Sequence, residues 1–298
     1  MQNIKAVVDL NSRIESALAG FLNRNFDQTN RSVVPNLLEQ SIRYSTLSGG
    51  KRIRPRLSLA TSKLLGLNES IGLRAGIAVE LIHTFTLIHD DLPCMDNDDL
   101  RRGKPSNHIA YGEPIALLAG DALIPMAYQC LTEVRKDVSA EYFANALTRF
   151  GDSIGVHGVI GGQAFELSLE SNSTLDQLAV LHSKKTGALF EASILLPMDL
   201  SGVSEFAHQG QILLRLSQSI GSAFQLLDDF DDQLEDNPKQ NLVIRDQKLE
   251  YTSRVLAKLK ECEFELDHEW GPKKSADLFQ ISHSLIQKLD EEISKRQS

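Results

Sequence analysis

The chain of 298 residues is 42% hydrophobic and 24% charged, enough apolar material for a buried core, which excludes disorder as the whole answer. Its 31 Lys and Arg face 40 Asp and Glu, a formal charge of −9 that argues against general phosphate neutralisation, so no nucleic-acid partner is expected. Cys94, Cys130 and Cys262 are an odd number without metal-type pairing, which supports neither a disulfide framework nor a zinc site and fits a reducing cytoplasm.

Residues 1–22 mix Asp9, Arg13 and Glu15 into their apolar positions, unlike a secretory signal. No stretch approaches the roughly 18 consecutive apolar residues of a membrane helix, so an integral membrane protein is not expected. Apolar residues recur at helical spacing along nearly the whole chain, as in Ile212, Leu213, Leu216, Ile220, Phe224 and Leu227. The expectation is an all-α protein of long helices, about 11–28 residues each, in one bundle and one domain over residues 1–298. Pro35 and Pro55 open helices, Pro93 and Pro105 bracket a polar loop, and Gly202, Pro238 and Gly271-Pro272 mark later turns.

In chain order, the first chemical signal is Gly49-Gly50-Lys51-Arg52-Ile53-Arg54-Pro55, three cations beside two glycines before a helix, suited to surrounding a phosphate. The same residues also fit an ordinary turn followed by a solvated basic stretch. His83 then lies on an apolar helical face, where a core histidine is the ordinary reading. It precedes Asp90 by seven residues and so shares nearly the same face. Five of the 21 aspartates fall in Asp90–Asp99 and five more in Asp228–Asp236. Like charges so concentrated repel one another unless cations compensate.

Pro93 should end the helix that carries Asp90 and Asp91, so that Asp96 returns from a loop. Arg101-Arg102-Gly103-Lys104-Pro105 follows at once, as charge compensation or as a second anion contact. Gly161-Gly162-Gln163 and Lys185-Thr186-Gly187 lie in helical segments and permit close approach of a helix or a ligand. In the second cluster Asp228 and Asp232 are at i and i+4, with Gln225 one turn earlier. Oxygen ligands without His or Cys spacing favour Mg²⁺, whose shell is usually completed by water and substrate phosphates. A short acidic run alone is what a solvated helix end looks like. An EF-hand is excluded because Asp90–Asp99 lacks the loop glycine and the terminal glutamate. Two carboxylate groups together with two separated basic sites describe an enzyme handling phosphorylated substrates.

These segments, with Leu118-Ala119-Gly120-Asp121-Ala122-Leu123 between them, occur over about residues 40–235 in the order found in trans-isoprenyl diphosphate synthases, which the chain resembles. Within that family it is most similar to bacterial short-chain farnesyl diphosphate synthases. The resemblance implies an all-α fold of the isoprenoid synthase type, with a central cavity across which the two aspartate motifs face each other. It also implies a homodimer and three Mg²⁺ per active site. Asp90, Asp91 and Asp96 match ligands of Mg²⁺ bound with the allylic diphosphate, and Asp228 and Asp232, with Asp229 beside them, match the second metal motif. Arg101 and Lys185 match residues holding the allylic diphosphate. Lys51, Arg54, His83 and Arg102 match the isopentenyl diphosphate site, and Thr186 and Gln225 match residues near the developing allylic cation.

Phe85, five residues before Asp90, stands where an aromatic ring closes the product pocket of bacterial farnesyl synthases, which implies mainly a C15 product; its ordinary role would be core packing. Geranyl or geranylgeranyl diphosphate synthesis is the alternative within the family. A terpene cyclase or a non-catalytic subunit of a heteromeric prenyl synthase are alternatives outside that activity. The chain departs from the family after Asp232, where Leu234–Val243 lacks the expected Gly-Lys-x-Thr-Tyr-Pro-like segment and Lys239 is the available cation.

Overall fold

The computed structural model describes residues 2–27, 36–169, 175–231 and 245–297, and the fold is all-α, as the periodicity predicts. Internal packing divides the chain into two compact units, Met1–Leu59 with Glu69–Asp137, and Ala60–Asn68 with Val138–Ser298.

The first unit holds α1 (Gln2–Phe26), α2 (Asn36–Thr46), the start of α3 (Ile53–Leu64), α4 (Glu69–Asp90), α5 (Asn107–Tyr111) and α6 (Glu113–Thr132). In α4, Ile77, Ala78, Val79, Leu81 and Ile82 are all completely buried. Five such residues within six positions point to every side, so this helix is apolar all round and forms the unit's core. Against it packs α6, whose buried Ala116, Ala119, Leu123, Ala127 and Cys130 recur every three or four residues. Both helices have the length and hydropathy of a membrane span, but 72% of the apolar window of α4 is buried in protein. Ser41 of α2 donates to Asn107 Oδ1 at 2.7 Å, and Asn107 returns bonds to the Ser41 carbonyl at 3.0 Å and Ser45 Oγ at 2.7 Å. This buried polar set fastens α5 to α2 without leaving its amide unsatisfied.

The second unit comprises α7 (Ala140–Ile154), α8 (Val159–Ser168), α9 (Leu175–His182), a π-helical turn (Ser183–Gly187), α10 (Ala188–Ser201), α11 (His208–Asp231), α12 (Arg245–Trp270) and α13 (Pro272–Gln297). Ser139 caps α7, its Oγ accepting from the Tyr142 N–H at 3.2 Å. The helices pack in the series α7–α10–α11–α12–α13. Apolar α10 lies at the centre, with Leu189 and every residue from Ala192 to Leu200 buried. Arg149 of α7 forks onto Asp199 of α10 at 2.6 and 3.2 Å and reaches Glu205 at 2.8 Å, so the buried Asp199 is paired rather than stranded.

Candidate functional site

In the first unit α4 ends at Asp90, one turn short of Pro93, as the proline demands. The chain then doubles back, and the Asp96 N–H donates to the Asp90 carbonyl at 2.9 Å. Asp96 therefore returns from a loop to the helix end, as the sequence implies. Asp90 is partly buried, Asp96 is exposed and Asp91 is only 2% exposed. Arg101 answers this acid, its Nε donating to Asp91 Oδ1 at 2.9 Å and its Nη2 to the same oxygen and to Asp98 at 2.9 Å. Burial pushes the Asp91 carboxyl above the usual range, and Arg101 offsets part of that push.

The loop expected between Pro93 and Pro105 contains a hairpin of two short strands, β1 (Leu100–Arg101) and β2 (Lys104–Pro105), paired antiparallel. At its tip Arg102 and Gly103 have φ of 54° and 73°, the pair of positive angles that a two-residue turn requires. The hairpin separates the work of adjacent arginines. Arg101 faces the carboxylates, while Arg102 donates to the Gly49 carbonyl and to Ser48 Oγ at 3.2 Å. Arg102 thus joins the loop that carries exposed Lys51 and leads into α3, where Arg54 is partly buried. His83 belongs to the same group. Burial first, then the charges of Arg54, Arg102, Arg52 and Arg101, hold its imidazole well below the ordinary histidine value, so it is neutral.

Phe85 is 6% exposed, its ring edge-on to His89 at 4.9 Å between centroids. His89 in turn bonds the Leu117 carbonyl of α6 at 3.0 Å. Phe85 is thereby fixed against a neighbour that is itself anchored.

The second unit assembles the later motifs. Lys185 lies in the π-helical turn and donates to Glu166 of α8. A side chain on Gly162 would put its Cβ 2.7 Å from the Lys185 backbone nitrogen, so only glycine lets α8 approach this turn. Thr186 donates to Gln225 Oε1 at 2.7 Å, and Gln225 Nε2 donates to Asp229 Oδ1 at 2.7 Å. The amide predicted to project with Asp228 is thus committed to Asp229, one helical turn away at i+4 and buried, whereas Asp228 is exposed. Asp232 and the altered Leu234–Val243 segment with Lys239 lie outside the described residues.

Among the described residues no three His, Cys, Asp or Glu side chains are placed to hold a metal ion by themselves. The candidate donors are hard carboxylate oxygens, which fits Mg²⁺ with a shell completed by water and phosphate. Sequence reasoning missed Glu166, the counter-ion of Lys185, whereas Asp98, which accepts from Arg101, lies within the acidic run already marked. Glu166 has no local signal, since 19 residues separate it from the lysine it meets. A cavity of about 1100 Å³ elsewhere in the second unit, lined by Arg149, Glu191, Asp199 and Glu205 among others, contains none of the predicted site residues.

The polyprenyl synthetase family model matches residues 35–269. A geranylgeranyl diphosphate synthase of Cyanophora paradoxa is 45% identical over 208 residues, covering 68% of this chain and 69% of that protein. A chloroplastic geranylgeranyl pyrophosphate synthase of Capsicum annuum is 41% identical over 210 residues, covering 70% of this chain; the match takes in 56% of that protein, little more than half its length. The crystal structure of a geranyltransferase from Legionella pneumophila superposes with a TM-score of 0.84 at 29% identity, covering 96% of this chain and 98% of that one. Together with the ordered motifs and the helical fold, these matches place the chain in the polyprenyl synthetase family, the trans-isoprenyl diphosphate synthases.

Proposed function

We propose that the protein condenses isopentenyl diphosphate with allylic diphosphates to make a short-chain prenyl diphosphate. The observation that carries this reading is the contact of Arg101 with Asp91 and Asp98 at the end of α4. A cation for phosphate and oxygen donors for a hard metal already touch, and a metal-bound diphosphate would replace each as the other's partner. Lys185 and Glu166 form a similar pair in the second unit.

In this reading Asp90, Asp91 and Asp96 would hold Mg²⁺ with the allylic diphosphate, and Asp228, with Asp232, would supply the carboxylates of the second metal motif. Bound there, Mg²⁺ would supply positive charge at the oxygens where negative charge develops as the C–O bond breaks. Arg101 and Lys185 are the cations this reading assigns to neutralising the diphosphate as it departs with the bonding electron pair. Lys51, Arg54, Arg102 and His83 hold isopentenyl diphosphate so that its double bond meets the allylic cation. The neutral imidazole serves as a hydrogen-bond partner without adding charge to the arginines. Thr186 and Gln225 present oxygens near the cation, oriented by their mutual bond and by Asp229. A new C–C bond forms, and the released diphosphate takes the proton lost afterwards. The reading carries with it a homodimer and a cytoplasmic location, the first testable by light scattering.

The names of the relatives support a C20 product, geranylgeranyl diphosphate, and that is the product we assign. A second reading, C15 farnesyl diphosphate, is favoured by the anchored ring of Phe85. Mass spectrometry of products made from isopentenyl diphosphate, Mg²⁺ and dimethylallyl, geranyl or farnesyl diphosphate separates them. C20 as the main product from all three primers supports the first, and accumulation at C15 replaces it with the second. Phe85→Ala is expected to lengthen the product by at least one C5 unit; an unchanged distribution removes Phe85 from control of length.

A further inference from the structure

Between exposed Lys51 and partly buried Arg54 stands Arg52, whose side chain is 1% exposed and points the other way. Its backbone has φ of 48°, in the left-handed region that a residue with a Cβ seldom occupies. Such a conformation persists only where surrounding contacts determine it. Here they do. Nε donates to Glu15 Oε1 at 2.7 Å, Nη1 to Glu80 Oε1 at 2.6 Å and Nη2 to the Thr46 carbonyl at 2.8 Å. The planar fork thereby ties three elements together: α1 through Glu15, the end of α2 through Thr46 and α4 through Glu80.

Glu80 is 2% exposed and lies three residues before His83, so the anchor and the imidazole share one helical turn. At its far end the loop is fastened too. The Arg102 guanidinium lies 3.1 Å from where a Cβ on Gly50 would be, and Gly50 has φ of 137°. The Arg52 carbonyl accepts from the Arg56 N–H at 3.2 Å, which starts α3.

We propose that Arg52 is a positioning residue. Its buried pair with Glu80 sets the backbone twist that turns Lys51 and Arg54 outward to the diphosphate shared with His83 and Arg102. The inference rests on the reading of those four residues as the isopentenyl diphosphate site. The charge alone is not enough, because a lysine ammonium cannot reach three acceptors in one plane.

The test compares wild type with Arg52→Lys. Titration calorimetry with isopentenyl diphosphate in Mg²⁺-free buffer is expected to show binding about tenfold weaker in the variant, from misplacement of the two cations. In turnover, KM for isopentenyl diphosphate should rise by the same factor, while kcat and KM for the allylic diphosphate change less than twofold. Binding within twofold of wild type would overturn the proposal. So would a parallel change in all three kinetic constants, which general loosening produces. Where Arg52→Lys does not fold, Glu80→Gln, which keeps the volume and an acceptor, carries the same comparison. Wild type that binds isopentenyl diphosphate without turnover overturns the functional reading alone, and calorimetry still decides Arg52. Wild type that binds none overturns both.

Discussion

The imidazole of His83 is held neutral by burial and by four arginines of its own unit, and this has a definite consequence for stability. The unfolded chain takes up a proton at this histidine below about pH 6.5, whereas the folded chain resists it. The unfolded state then binds more protons, so folding stability falls as pH drops below that value and is regained as pH rises. His83→Gln should remove this component, up to about 1.4 kcal/mol per pH unit, from urea-unfolding curves between pH 5 and 6.5. An unaltered slope would mean that the imidazole titrates freely. The sequence marked His83 as an imidazole on an apolar face, but its electrostatic setting depends on Arg54 and Arg102, which converge on it only in the fold. The partner of Arg101 was legible, because adjacent acidic and basic runs invite pairing; that of Lys185 was not, because Glu166 meets it through packing of α8 on the π-helical turn.

Elements that announce themselves by period or by proline were readable in advance. The end of α4, the return of Asp96 and the turn at Gly271 between α12 and α13 all follow from local chemistry. The hairpin at Leu100–Pro105 was not readable, since strands of two residues are too short to show alternation. Pro125 and Pro197 sit inside α6 and α10, where proline read as punctuation would have ended a helix. The π-helical turn at Ser183–Gly187 also leaves no sequence period, and its place depends on Gly162 beneath it. Gly162→Ala should therefore cost about 1–3 kcal/mol through overpacking and lower kcat by displacing Lys185 and Thr186. Denaturant unfolding and steady-state kinetics read the two effects. Wild-type stability together with wild-type kcat would show that the turn tolerates a side chain there.

For the whole molecule, charge marks an acidic chain, apolar periodicity marks a helical one, and its acidic and basic motifs direct it to phosphorylated substrates. Family membership rests on the match over residues 35–269, while the choice of product rests on finer features that composition does not touch. In the proposed reaction an allylic diphosphate ionises and isopentenyl diphosphate captures the cation. The most direct measurement is diphosphate release from geranyl diphosphate by purified protein, with and without isopentenyl diphosphate and with and without Mg²⁺. Rapid release is expected only when both are present, with one prenyl transfer per diphosphate. Equal release from geranyl diphosphate alone would identify a cyclase-type ionisation, and no release under any condition would identify a non-catalytic subunit; either result contradicts the proposed reaction.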